Sequence, residues 1–231
     1  MNTAVIIPTY NEKENLPILV EGIMALEAPP DITIVDDNSP DGTGWLADEL
    51  AQKYQSITVI HRPGKSGLGT AHLAGFAAVI DDADLILTMD ADLSHDPQHI
   101  PALIAKIGEG YDIVVGSRYI EGGSVDFKMW RRALSYGGNL FAAATLGLKT
   151  RDNTSGFRCY RREALDKILE NEFNAEGYSF LIEILYRAKQ AGLRLGETPI
   201  HYVDRRYGET KISRSEISKA LGTVLRLRFG G

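Results

Sequence analysis

Leu85-Ile86-Leu87-Thr88-Met89-Asp90-Ala91-Asp92 is an apolar run that ends in two carboxylates one residue apart. A short apolar run of this kind fits a buried strand. Side chains at i and i+2 of a strand share a face, so Asp90 and Asp92 are expected to leave it side by side. Paired carboxylates suit a hard divalent cation, and Mg²⁺ commonly combines one or two of them with water and phosphate oxygens. The spacing alone is common and also describes a turn or a helix cap. Its surroundings have to decide.

Working outward, Ala4 to Pro8, Ile32 to Val35, Ile57 to His61, Asp84 to Met89 and Tyr111 to Val115 read as strands. Between them, Glu12 to Leu26, Gly44 to Tyr54, Gly69 to Ile80 and Ile100 to Ile107 carry helical periodicity. In the first helix Leu16, Val20, Ile23 and Met24 share a face, with Asn11 as the expected N-cap. This alternation predicts an α/β fold, a mostly parallel sheet flanked by helices. After Gly116, Leu140 to Leu148 and Ser179 to Gln190 read as helices and Leu193 to His201 as a strand. No repeat or low-complexity linker interrupts the chain. Residues 1–231 are expected to form one domain, with 213–231 as a C-terminal amphipathic helix. Within that helix Ile217, Leu221, Val224, Leu225 and Leu227 are interleaved with Lys219, Arg226 and Arg228. Two readings stand: a helix on a membrane surface or one docked on the core.

A chain of 231 residues with 44% hydrophobic and 24% charged residues has material for a sizeable core. Its net charge of −6 argues against nucleic-acid binding, which needs a basic footprint. The lone Cys159 rules out an internal disulfide and fits a reducing compartment. A strand-like run begins almost at Met1, so no signal peptide is expected. No apolar run reaches the roughly 18 residues of a membrane span.

In open parallel sheets, ligands bind beyond the carboxyl ends of the strands. Three polar clusters follow three expected strands: Pro8-Thr9-Tyr10-Asn11-Glu12, Val35-Asp36-Asp37-Asn38-Ser39 and Asp90-Ala91-Asp92. An acid after the second strand can hydrogen-bond a nucleoside. Consecutive aspartates diverge, so Asp37 is taken to face the ligand and Asp36 to cap the turn. Two lookalikes fail. Gly64-Lys65-Ser66 resembles the end of a Walker A loop, but Val59 stands where its first glycine belongs; Gly67-Leu68-Gly69 opens a dinucleotide fingerprint, but His72 occupies its last glycine position. The two glycines are read as a tight loop before a helix, and Lys65 as lying near the donor. His95, without ligand company, reads as structural, and Cys159 as a small packed residue.

With these clusters in view, the sequence resembles the family 2 inverting glycosyltransferases of GT-A fold, specifically the dolichol- or polyprenol-phosphate mannose synthases. The motifs are P-T-Y-N-E at Pro8 to Glu12, V-D-D-N-S-P-D-G-T at Val35 to Thr43 and D-A-D-L-S-H at Asp90 to His95. G-S-R-Y at Gly116 to Tyr119, T-S-G-F-R at Thr154 to Arg158 and D-R-R-Y-G-E-T-K at Asp204 to Lys211 extend it over almost the whole chain. The resemblance implies that Pro8, Tyr10, Glu12, Val35 and Asp37 contact the donor nucleoside. It implies that Asp90, Ala91 and Asp92 serve the diphosphate, with Asp90, Asp92 and Ser94 at a Mg²⁺ or Mn²⁺ ion. Ser94 stands where relatives often carry glutamine, and Thr210 where they carry serine. Arg118, Arg131, Ser135, Arg205 and Lys211 match positions that handle acceptor or donor phosphates, with Asp92, Arg118, Arg131 and Arg205 as the catalytic set.

What the resemblance implies is mannose transfer from GDP-mannose to a polyprenyl or dolichyl monophosphate, with inversion, at the cytoplasmic face of a membrane. Either peripheral membrane contact or a membrane-spanning partner would bring the lipid. The segment Tyr136 to Leu148, with Phe141, Ala142, Ala143, Ala144 and Leu146, is then either an ordinary core helix or an interfacial guide for the prenyl chain. Three alternatives stay open: transfer from UDP-glucose to the same acceptor, transfer to a saccharide hydroxyl, and a non-catalytic subunit that binds nucleotide sugar.

Overall fold

The computed structural model describes residues 1–126, 129–170, 173, 177–204 and 214–230. Its first half is the expected alternation: β1 (Thr3–Thr9), α1 (Leu16–Met24), β2 (Asp31–Asp36), α2 (Thr43–Lys53), β3 (Ile57–His61), α3 (Leu68–Val79), β4 (Leu85–Thr88), α4 (Ile100–Gly108) and β5 (Ile113–Ser117). Then come β6 (Ser124–Val125), α5 (Met129–Leu146), β7 (Arg158–Arg161), α6 (Arg162–Leu169), α7 (Tyr178–Gln190), β8 (Leu195–Pro199), β9 (His201–Tyr202) and α8 (Arg214–Phe229). Seven strands form one sheet in the order β3-β2-β1-β4-β7-β5-β8, parallel except for β7, which runs antiparallel to β4 and β5. The short β6 and β9 pair parallel beside it.

The strands bury both faces, as a sheet covered by helices requires. Val5, Ile7, Ile32, Ile34 and Leu87 pack with α1, α2 and α4 residues such as Leu19, Ala47 and Leu103. The alternate positions Ala4, Ile6, Val35 and Ile86 pack on the opposite side with Phe76 of α3, Leu165 of α6 and Leu185 of α7. Winding proceeds outward from β1 to β3 and then resumes on the other side of β1 with β4. Such a reversal leaves a crevice at the carboxyl ends of the two inner strands.

Several sequence expectations need correction. The first helix begins at Leu16 rather than Glu12, with Asn15 and not Asn11 at its N-cap. Asn11 instead adopts a left-handed φ of 59° and turns the chain after β1. The helix expected at Leu140 to Leu148 begins at Met129. The strand expected over Leu193 to His201 divides into β8 and β9. Of the two readings of the C-terminal helix, docking on the core agrees with the structure: Val224 is buried, while Leu221, Leu225 and Phe229 remain exposed.

Candidate active site

β4 ends at Thr88, so the acid pair lies in the bend beyond the strand and not on it. The turn, more than β alternation, sets its geometry. Leu93 takes a left-handed φ of 62°, a conformation that is costly for a branched side chain and gathers at functional sites. That turn folds Ser94 back onto Asp92, whose Oδ1 accepts from the Ser94 amide at 3.1 Å and from the Ser94 hydroxyl. Asp92 is 5% exposed, while the Asp90 side chain remains 28% exposed at the crevice. Ala91 is buried between them.

His95 holds this bend from below. Its Nδ1 accepts from the Asp90 amide at 3.2 Å, and its ring stacks on Phe157 with centroids 5.1 Å apart. Burial lowers its pKa against the pull of Asp90 and Asp92, so the neutral ring can keep accepting that hydrogen bond. The structural reading of His95 agrees with this placement.

At the ends of β1 and β2, the two aspartates diverge. Asp36 caps the turn, accepting from Ser39 N at 3.1 Å, Ser39 Oγ at 2.6 Å and Thr9 Oγ1 at 3.1 Å. Asp37 faces Arg62 at 2.7 Å, and Arg62 also donates to Thr70 Oγ1 at 2.7 Å. Burial raises the Asp37 pKa, although Arg62 opposes the shift. Tyr10 is half-buried under Lys65, whose Nζ lies 4.2 Å from the ring centroid. Buried Glu12 accepts from Asn15 Nδ2 at 2.8 Å. Pro8 is half-buried and paired with Val35, whose side chain is wholly within the core. Gly67, with φ 97°, delivers the chain into α3 as the expected tight loop.

Across the crevice, Arg118 follows β5 and is 9% exposed. Its Nε and Nη2 meet the two Asp152 oxygens at 2.7 Å each, Nη2 also donates to Thr154 Oγ1 at 2.9 Å, and the Arg118 amide reaches Asp152 at 3.0 Å. Bidentate pairs of this kind fix a guanidinium in direction as well as place. Among the described residues, no acceptor meets Nη1. Burial alone would raise the Asp152 pKa, but Arg118 overrides it and holds the carboxyl below its usual range. Tyr202 of β9 covers this region, its ring centroid 5.2 Å from the Arg118 guanidinium and 5.6 Å from the His95 ring. Burial first, then the charges of Asp92 and Asp90, push its phenol up to about 12. Ser135 of α5 accepts from Tyr119 OH at 2.7 Å, and Arg131 pairs with Asp204 at 3.2 Å. Arg205, Lys211 and Thr210 lie outside the described residues.

The bend thus brings Asp90, Ala91, Asp92 and Ser94 together, and β5 with α5 brings Arg118 close to Ser135 through Tyr119. Sequence reasoning missed Asp152, Tyr202 and Arg62. Asp152 stands just ahead of the T-S-G-F-R stretch and was within reach of it. Tyr202 sits on a two-residue strand and carries no periodic signal. Among the described residues no group of three or more His, Cys, Asp or Glu side chains could hold a metal. Two carboxylates remain, a hard oxygen set that fits Mg²⁺ or Mn²⁺ shared with substrate phosphate oxygens.

A family model described as glycosyl transferase family 2 matches residues 4–169. A polyprenol monophosphomannose synthase of Mycolicibacterium smegmatis is 43% identical, the match covering 96% of this chain and 85% of that protein. An undecaprenyl-phosphate mannosyltransferase of Micrococcus luteus is 38% identical, over 98% of this chain and 93% of that one. Among solved structures, glucosyl-3-phosphoglycerate synthase from Mycobacterium tuberculosis, in complex with Mn²⁺, UDP and glucosyl-3-phosphoglycerate, shares the GT-A fold. It aligns with a TM-score of 0.71 at 20% identity, covering 98% of this chain and 80% of that one. The chain belongs to glycosyl transferase family 2 and is a glycosyltransferase.

Proposed function

We propose that this family 2 glycosyltransferase moves mannose from GDP-mannose to a polyprenyl monophosphate at a membrane surface, inverting the anomeric carbon. One observation carries the reading. α5 brings Ser135 to Tyr119, next to Arg118, and the same helix turns Met129, Trp130, Leu134 and Leu140 outward, Trp130 being 67% exposed. A hydroxyl placed close to a fixed guanidinium, on a helix that also carries unburied apolar side chains, would suit an acceptor with an anionic head and a hydrocarbon tail. Exposed Arg132 on α5 adds charge attractive to acidic headgroups. Among the described residues no helix is long and apolar enough to cross a membrane; the exposed apolar side chains of α5 and α8 would instead meet the membrane at its surface. The names of the two relatives support the acceptor class and the sugar.

The chemistry follows from the residues. An acceptor phosphate oxygen attacks the anomeric carbon while the bond to the nucleoside diphosphate breaks, its electron pair leaving with the diphosphate. A phosphate monoester has a second pKa of about 6 and is largely dianionic at neutral pH. It needs no general base, unlike an alcohol. The chain's task is to align two anions. Arg118, fixed by Asp152, presents Nη1; Arg131, Arg205 and Lys211 would add positive charge; Asp37, Tyr10, Glu12 and Pro8 would line the nucleoside side, while the Val35 side chain, expected there from the sequence, is buried in the core behind them. Asp90 and Asp92, with Ser94 hydrogen-bonded to Asp92, would hold Mg²⁺ or Mn²⁺, which when bound would supply charge neutralisation for the departing diphosphate. Residues 1–231 would act as one domain, with 213–231 at the membrane side.

The test incubates purified protein with Mn²⁺, a prenyl phosphate and separate nucleotide sugars. Lipid-linked mannose from GDP-mannose is expected, and efficient transfer from UDP-glucose instead overturns the donor. Replacing Trp130, Leu134, Leu140 and Phe141 together by serine should abolish sedimentation with acidic vesicles while nucleotide binding persists. Unchanged sedimentation would rule out docking through α5.

A further inference from the structure

One loop touches both charged sides of the crevice. Its residues Asp152 and Thr154 hold the Arg118 guanidinium. Four residues on from Asp152, Gly156 lies against the other side: a Cβ placed on it would stand 3.1 Å from Asp90 Oδ1. The Gly156 carbonyl accepts from Thr88 Oγ1 at 2.6 Å, at the end of the strand that delivers Asp90. The loop therefore spans the interval between cation and acid.

Beneath it lies Arg158, fully buried. Its three guanidinium nitrogens donate to main-chain carbonyls: Nε to Ser155 at 2.8 Å, Nη2 to Asn153 at 2.9 Å and Nη1 to Leu181 of α7 at 2.8 Å. Asp152 supplies opposing charge to it as well as to Arg118. A buried cation bound to carbonyls is a costly device, and here one hydrogen bond from each of its nitrogens goes to fixing the course of one loop and the start of one helix.

We propose that residues 152–158 form a spacer that sets the separation of Asp90 from Arg118, with Gly156 and Arg158 as positioning residues. Gly156 does this by having no side chain: the Asp90 carboxylate rests where a methyl group would displace it by a few tenths of an ångström. Arg158 keeps that glycine from moving away. The inference rests on the reading of the acid pair as the seat of the metal-bound diphosphate.

Calorimetry of GDP binding with and without Mn²⁺ tests it, alongside thermal melting. In the wild type, Mn²⁺ should tighten GDP binding. Gly156→Ala should weaken the Mn²⁺-dependent part by about tenfold or more, the range seen when supports behind metal ligands are altered. Metal-free GDP affinity and melting temperature should stay near wild type. Arg158→Lys, which keeps the charge and loses the fork, should give the same metal-specific loss and serves as the independent second variant. Wild-type Mn²⁺ dependence in Gly156→Ala overturns the spacer, and so does equal weakening with and without the metal. Absence of any Mn²⁺ effect in the wild type overturns the reading of the acid pair and the spacer together.

Discussion

α4 and α5 are successive helices that spend apolar residues in opposite ways. α4 turns Ile100, Leu103 and Ile107 into the core. α5 buries only Asn139, Ala142 and Leu146 and leaves Met129, Trp130, Leu134 and Leu140 outside. A helix whose apolar stripe faces inward is explained by the fold alone. One whose largest apolar side chains face outward calls for another surface to cover them. On the proposed reading, the difference separates a scaffold built for its own stability from a segment that meets a membrane surface. The acid pair hangs on the scaffold; Ser135 belongs to the segment.

The sharpest way to break this division is at the acid pair. Asp92→Ala should lower turnover by about 10³-fold or more, roughly 4 kcal/mol of transition-state stabilisation, while far-UV circular dichroism stays native. Turnover within tenfold of wild type would detach the chemistry from the scaffold. Next in size, Leu103→Ala on α4 should cost about 2–5 kcal/mol in urea unfolding, the range for a buried leucine. Leu134→Ser on α5 should stay within about 0.5 kcal/mol. Equal costs in the two helices would mean that α5 is covered by its own chain.

A pH series sharpens the scaffold's side. His72 is fully buried against Phe180, neither ring nitrogen has a hydrogen-bond partner among the described residues, and burial with the nearby Arg158 charge lowers its pKa to about 3. The unfolded chain takes up this proton near pH 6.5 and the folded chain does not, so stability falls as pH drops from about 6.5 toward 3. The slope is about 1.4 kcal/mol per pH unit for one such group. Urea unfolding at pH 7 and pH 5 should show that loss, and His72→Leu should reduce it. An unchanged slope in the variant would assign the effect to His95 or His99, whose pKa values are also lowered by burial.

Legibility in the sequence follows the same division. Strands β1 to β5 announce themselves because buried parallel strands are short, continuous apolar runs. The acid pair is readable at the end of one of them. α5 is less so: Arg131-Arg132 and Gly137-Gly138 interrupt its apolar pattern, and residues facing outward leave no core-facing period to count. β7 escapes notice because Arg158 and Arg161 bracket only Cys159 and Tyr160, and nothing in four residues reveals that the first arginine is wholly buried. Asp152 gains its role from a partner 34 positions away in the chain, a pairing only the folded sheet makes.

β7 runs against its neighbours, and its first residue, Arg158, sits opposite Thr88 of β4 and Val115 of β5. Parallel strands can send only outgoing connections to the rim where their carboxyl ends open. A strand laid backwards brings an incoming one to that same rim, so the polypeptide arrives at the mouth before descending through the sheet. Entry and exit segments thereby meet at one threshold, and a single reversed strand gives the crevice a third wall that no further parallel unit could have supplied.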